Sequence, residues 1–263
     1  MNCISLLTDF GLKDGNVGVM KGVIWGIAPS VQISDLSHDI APQDILEAAF
    51  VLGRAALYFP AGTIHLVVVD PGVGTDRRAI AARIGPYQFV GPDNGVVTRL
   101  VRHAVDKKWS REVVHLDKPQ YWLPEVSHVF HGRDIFAPVA AHLARGVPLK
   151  DVGTPMEDPV LLALPEPTKS KGVIFGEVIY IDHFGSLITN IKSSDIQDGK
   201  AVSVEIKGEN VNGLANTFGQ QPAGSLIALF SSTGDLILSV VNGSASQRLG
   251  GRIGDQVKVT HSR

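Results

Sequence analysis

Cysteine is nearly absent. The single residue, Cys3, excludes a disulfide framework and a cysteine-built zinc or iron–sulfur site, and it suits a chain kept in the reducing cytoplasm. Neither charge sign is in excess. Twenty-four basic and 26 acidic side chains give a net charge of −2, and the two signs stay near balance on both sides of residue 165. The basic face of a nucleic-acid-binding protein is therefore not expected. No apolar run approaches the ~18 residues that a membrane span needs, and the N-terminus has no basic-then-apolar signal pattern. Neither a membrane partner nor export is expected. Aromatics are scarce, at 6%, whereas 28 glycines imply many tight turns and close backbone approaches. With 44% apolar and 19% charged residues in 263, the chain folds and has enough length for one large domain or two modest ones.

What is present divides in two. Up to about residue 163, strand-like and helix-like segments alternate. Cys3–Leu7 is short and apolar, and Val17, Met20, Val23, Ile24 and Ile27 follow at helical spacing. Val31–Ser34 reads as a strand, and Asp44 is placed to cap a helix whose apolar face holds Ile45, Ala48, Ala49 and Leu52. Ile64–Val69 is an apolar, β-branched run of the kind buried on both faces, and Tyr87–Val90 is a further strand. Gly95–Val105 and a segment opening at Asp134 and stopping near Gly146 read as helices. This alternation predicts an α/β domain over 1–163 with a mostly parallel sheet flanked by helices. Residues 164–172, with two prolines and two lysines, have linker composition. Beyond them, 173–263 holds short β-type runs separated by Asn-Gly and Gly-Gly turns with no convincing helix, which predicts a small all-β barrel.

Polar residues gather where the apolar strands end. Asp9 closes the first strand. Asp35, His38 and Asp39 follow the second. Asp70 ends the third, at the head of Asp70-Pro71-Gly72-Val73-Gly74-Thr75-Asp76-Arg77-Arg78, and Asp93 and Asn94 lie in Gly91-Pro92-Asp93-Asn94-Gly95. His131 lies in Phe130-His131-Gly132-Arg133-Asp134. Ligands of open α/β sheets bind outside the carboxyl ends of strands, so these loops are expected to converge. Each residue alone has a plainer reading. Aspartate before Pro-Gly or Asn-Gly is ordinary turn chemistry, Asp134 reads as a helix cap, and Arg77 and Arg78 read singly as solvated charges. No phosphate-binding glycine motif and no nucleophile elbow is present. A metal would draw on Asp9, His38, Asp39, Asp70 and His131, none of which forms a helical ligand pair.

Seven motifs then occur in order: Thr8-Asp9-Phe10-Gly11, Met20-Lys21-Gly22-Val23, Tyr58-Phe59-Pro60, Asp70-Pro71-Gly72-Val73-Gly74-Thr75, Gly91-Pro92-Asp93-Asn94-Gly95, Phe130-His131-Gly132-Arg133-Asp134 and Ile181-Asp182-His183-Phe184-Gly185. Together they resemble the adenosine-forming S-adenosyl-L-methionine (SAM) hydrolases, or SAM hydroxide adenosyltransferases, which are relatives of the fluorinases and chlorinases. The resemblance covers nearly the whole chain. It implies an N-terminal α/β domain with a C-terminal β-barrel. It also implies a homotrimer, with each site shared between the N-terminal domain of one subunit and the C-terminal domain of its neighbour. The implied partners are SAM, adenosine and methionine, with no cofactor and no metal.

By motif position the resemblance implies Asp70, Arg77 and His131 as the set around a reactive water. Halogenating relatives carry residues such as tyrosine at positions matching Asp70 and His131, which favours hydrolysis here. Asp9 resembles the carboxylate that binds the ribose diol. Asp93 and Asn94 are expected near the substrate. Asp182 and Ser232 resemble holders of the methionine amine and carboxylate, and Phe184, Ser186 and Phe218 resemble the adenine pocket. Gln43, Asn16, Ser186, Ser231 and Ile237 depart from the residues usual at their positions, and these departures touch substrate detail more than reaction type.

Overall fold

Strand β1 (Cys3–Thr8) is buried from Ile4 onward and sits inside a seven-stranded sheet. The computed structural model describes residues 3–196 and 202–261. The chain divides into two compact units, Met1–Leu162 and Ala163–Arg263.

In the first unit β1 is followed by α1 (Asn16–Ile27), β2 (Gln32–Ser37), α2 (Ile45–Ala55), β3 (Ile64–Val68), β4 (Ala79–Ile84) and β5 (Tyr87–Pro92). Then come α3 (Thr98–Asp106), β6 (Arg111–His115), α4 (Ala137–Ala144) and the short β7 (Thr154–Pro155). The sheet order is β2-β1-β3-β5-β4-β6-β7. Alternate residues of each strand feed two cores. Ile4 and Leu6 of β1 pack with Met20 and Ile24 of α1 and Val139 of α4. Leu7 packs on the other face with Ala48 and Leu52 of α2 and Leu100 of α3. Helix α2 begins as its sequence predicts. The Asp44 carboxylate accepts a hydrogen bond from Glu47 N at 2.8 Å, and Glu47 accepts one from Ala41 N at 2.9 Å.

Two expectations change here. The sheet is mixed rather than mostly parallel. The β1–β2, β1–β3 and β3–β5 ladders are parallel, whereas β4–β5, β4–β6 and β6–β7 are antiparallel. The strands that reverse direction carry weak sequence signals: β4 is alanine-rich and contains Arg83, and β6 opens on two charged residues. Strands β4 and β5 form a hairpin across Gly85-Pro86, where Gly85 takes φ +55°. The segment around Asp134 also differs. Gly132–Phe136 is a π-helical turn that runs into α4. Asp134 lies buried inside that turn rather than capping it. Its carboxylate accepts from Ser127 N at 2.8 Å and pairs with Arg133 at 2.5 Å.

The described strands of the second unit pair antiparallel throughout, and a short helix, α5 (Ala245–Leu249), stands where the sequence shows no convincing helix. The strands are β8 (Thr168–Ser170), β9 (Val173–Ile181), β10 (Leu187–Lys192), β11 (Val202–Ile206), β12 (Glu209–Asn212), β13 (Leu226–Phe230), β14 (Asp235–Val240) and β15 (Gln256–His261). They run in the order β12-β11-β15-β9-β10-β14-β13, with β8 paired to β9. The end strands β12 and β13 lie against each other, so the sheet curls into a near-barrel around Val178, Leu187, Val204 and Leu238. Strand β8 occupies part of the segment whose composition suggested a linker.

Candidate active site

Asp70 leaves the end of β3, and Arg77 lies seven residues later, just before β4. The connecting loop folds back on itself. Val73 N donates to Asp70 O at 3.2 Å, and the Thr75 hydroxyl donates to Gly72 O at 2.7 Å. The turn requires glycine at 74, where φ is +77° and a Cβ would stand 2.2 Å from the His128 carbonyl oxygen. The fold-back brings the guanidinium onto the carboxylate. Arg77 Nε donates to both Asp70 oxygens at 2.9 and 3.0 Å, and Nη2 donates to Oδ2 at 2.5 Å. The pair is largely dry, with side-chain exposures of 11% for Arg77 and 5% for Asp70. The Phe136 ring lies 5.2 Å from the guanidinium carbon.

His131 completes the set from the opposite loop. Arg77 Nη2 lies 2.8 Å from His131 Nδ1. Arginine only donates, so Nδ1 accepts and the ring proton of the neutral imidazole sits on Nε2. Burial, and then the Arg77 charge, hold the His131 pKa below its ordinary value, against the opposing pull of Asp70 and Asp134. Sequence-distant Asp70, Arg77 and His131 are thus joined in one hydrogen-bonded chain, and the ring is uncharged near neutral pH.

Asp70 and His131 line a cavity of about 310 Å³ together with Asp9, Phe10, Gln43, Val73 and Phe130. Asp9 arrives from the end of β1, and its Oδ2 accepts from Gln43 N at 2.8 Å. Gln43 holds a left-handed backbone, φ +68°, at that point. Phe10 and Phe130 meet edge to face, with ring centroids 5.7 Å apart, and form an apolar wall. The sequence reading passed over both rings as site residues, although each stands beside a predicted one in a quoted motif. No group of three or more His, Cys, Asp or Glu side chains is disposed to hold a metal among the described residues.

Asp93 and Asn94 do not line that cavity. The Asp93 carboxylate accepts from Arg78 Nε at 2.8 Å and Val160 N at 2.7 Å, and Asn94 Nδ2 donates to Val69 O at 2.8 Å. The remaining predicted residues belong to the second unit. Asp182 Oδ1 accepts from Phe184 N at 3.0 Å and Ser186 N at 2.8 Å, which shapes the β9–β10 turn. Ser186 is buried, and its hydroxyl accepts from Ser239 at 2.7 Å. Phe184 and Phe218 are not barrel core; they are 76% and 51% exposed. Ser232 is exposed at the β13–β14 turn.

Two family models match the chain: the SAM hydroxide adenosyltransferase N-terminal domain over residues 4–153 and the corresponding C-terminal domain over 176–258. The chain belongs to the SAM hydroxide adenosyltransferase family. The chain is 39% identical, over 98% of its length and 97% of the relative's, to an (R)-S-adenosyl-L-methionine hydrolase of Salinispora tropica. It is 38% identical, over 98% of its length and 100% of the relative's, to a protein of the same name from Thermus thermophilus. A fluorinase of Actinoplanes sp. is 31% identical over 74% of this chain and 73% of its own. Among solved structures, an uncharacterized conserved protein from Thermotoga maritima superposes with a TM-score of 0.89 at 38% identity, covering 98% of this chain and 99% of that one.

No helix of this family member is long and apolar enough to cross a membrane among the described residues.

Proposed function

We propose that the chain hydrolyses SAM to adenosine and L-methionine by in-line attack of a water at ribose C5′. The observation that carries this reading is the Asp70–Arg77–His131 chain, whose Asp70 and His131 line the same cavity as Asp9. The full-length likeness to proteins named as hydrolases supports it.

The sulfonium of SAM is already cationic, so methionine leaves as a neutral thioether without help from an acid or a metal. The weak partner is water, and the site's groups divide the work around it. Asp70 is the proton acceptor. It is the one member of the set with carboxylate lone pairs left over after the contacts of Arg77. His131 Nδ1 is taken by Arg77, so the ring offers Nε2–H and orients the water as a donor. Arg77 favours the hydroxide-like form electrostatically. Asp9 accepts hydrogen bonds from the ribose hydroxyls. Positioning of water, C5′ and sulfur in line supplies much of the acceleration.

The same reading makes the enzyme a cytoplasmic homotrimer in which the second unit of a neighbouring subunit closes each site. Exposed Phe184 and Phe218 supply aromatic surface for adenine, and Asp182, Ser186 and Ser232 supply polar contacts to adenine and the methionine end. Incubation of EDTA-treated protein with SAM, followed by chromatography, should yield adenosine and methionine in equal amounts. Light scattering should report three times the 28.1 kDa chain mass. Tight SAM binding without products would make the protein a sensor. Activity lost to EDTA and restored by a divalent ion would end the metal-free mechanism.

A further inference from the structure

The loop that carries Asp70 and Arg77 is tied at both ends to one dipeptide. Asn94 Nδ2 donates at 2.8 Å to the carbonyl of Val69, the residue immediately before Asp70. Asp93 binds Arg78, the residue immediately after Arg77, twice over. Its carboxylate receives Arg78 Nε at 2.8 Å, and its backbone N–H donates to Arg78 O at 3.0 Å. The side chain of Asp93 is 1% exposed, so this is a buried charge with its partner supplied. Its second oxygen accepts from Val160 N at 2.7 Å, and Arg78 reaches on to Asp158 at 2.9 Å. The dipeptide itself is held in place by Gly95. There φ is +94°, and a Cβ would stand 2.7 Å from Leu162.

From this arrangement we infer that Asp93 and Asn94 are positioning residues: they fix the two ends of the 69–78 loop, and so the placement of the Asp70–Arg77 pair against His131. A bidentate Asp–Arg contact can re-form wherever its loop drifts. The 2.8 Å Arg77–His131 contact cannot, because His131 comes from a separate segment. Misplacement of reacting groups by about 1 Å costs roughly a hundredfold in rate. The inference rests on the hydrolase reading for its kinetic part, and it departs from the sequence-based expectation that Asp93 and Asn94 touch substrate.

The test uses the full chain with Asp93→Asn and Asn94→Ala, and reads SAM affinity, single-turnover rate and melting temperature. Positioning predicts an unchanged affinity, within about threefold, with a single-turnover rate lower by about 10–100-fold. It also predicts that Asp93→Asn adds little loss on an Asp70→Asn background, since it acts through Asp70. Weakened affinity with an intact saturated rate would return both residues to substrate binding and overturn the inference. A lowered melting temperature with affinity and rate intact would reduce them to structural ties and also overturn it. If Asn94→Ala does not fold, Arg78→Lys is read by the same criteria, because one ammonium cannot bridge Asp93 and Asp158 as the guanidinium does. Ring-nitrogen NMR of His131 supplies a readout independent of turnover. The variants should lose the single Nε2–H tautomer of the wild type. Wild-type protein without SAM turnover fails the hydrolase reading alone, whereas unchanged His131 shifts in the variants fail this inference alone.

Discussion

Replacing Arg77 with methionine separates the three jobs that its guanidinium performs. The first is pairing with the Asp70 carboxylate, which is 5% exposed and has no other cation in contact among the described ion pairs. Removing one member of a buried ion pair costs about 3–5 kcal/mol, which for a chain of this size lowers the melting temperature by on the order of 10 °C. The second job is electrostatic support of the hydroxide-like water, and its removal should slow single turnover by roughly 10²–10³-fold. The third concerns His131. Arg77 stands next to burial among the influences that lower its pKa, and Asp70 raises it. Without Arg77 the ring pKa rises, so the imidazole becomes protonated at higher pH and the acidic limb of the rate profile moves upward. The assay is single-turnover SAM cleavage across about pH 5 to 9, beside thermal melts at each pH. A variant whose acidic limb stays in place while its rate falls would refute the role given to Arg77 in setting the His131 charge. One with wild-type rate would refute the catalytic set as a whole.

Three other outcomes follow from the same geometry. Asp9→Ala should weaken SAM binding by roughly tenfold in calorimetry, with the saturated single-turnover rate held within about threefold, since the ribose diol loses its acceptor while the water site is spared. His65, fully buried against Phe59 and Tyr87, has its pKa pushed down by burial to about 4 from 6.5. Above pH 6.5 it is neutral folded and unfolded alike. Below that only the unfolded chain takes the proton, so stability should fall by up to about 3 kcal/mol as pH drops to 4, and denaturant titrations of His65→Gln should show a flatter slope. Gly74→Ala places a methyl 2.2 Å from a backbone oxygen at φ +77°, so the 70–77 loop must move. Turnover should drop by at least about tenfold while SAM affinity holds, and an unimpaired variant would show that the loop geometry is not needed.

The strands and helices with strong periodicity were legible in the sequence. β1, β3 and β5, the helices α1 to α3, and most of the second unit's strands lie where apolar patterning put them. β4 and β6 were not, because Ala79, Ala81 and Ala82 have little strand preference and Glu112 interrupts the apolar pattern. With those two strands unseen, the reversal of half the sheet could not be read. The strand-end positions of Asp9 and Asp70 were legible from the same patterning. The link from Asp70 through Arg77 to His131 was not, since it depends on a loop folding back and on a π-helical turn. Asp93 and Asn94 show a different limit. An aspartate and an asparagine in a glycine turn look alike whether they face a ligand or the protein. Only the location of Arg78 and the Val69 carbonyl tells the two apart.

The reversal of β4 changes which part of the chain can furnish a site. In a parallel sheet only the residues leaving a strand reach the ligand-bearing edge, and those entering a strand are a strand's length away. β4 runs against β5, with Ala79 opposite Pro92, so its entrance lies beside the exits of β3 and β5. Arg77 stands at that entrance, and Asp70 at the neighbouring exit. One short hairpin therefore lets a residue preceding a strand meet one that follows another. If β4 were parallel, its six residues at ~3.3 Å each would carry Arg77 to the far edge of the sheet. A shift of one residue in the β4–β5 hairpin would therefore break the ion pair in the site and, in the same step, turn Ile80, Ala82 and Ile84 out of the core they fill.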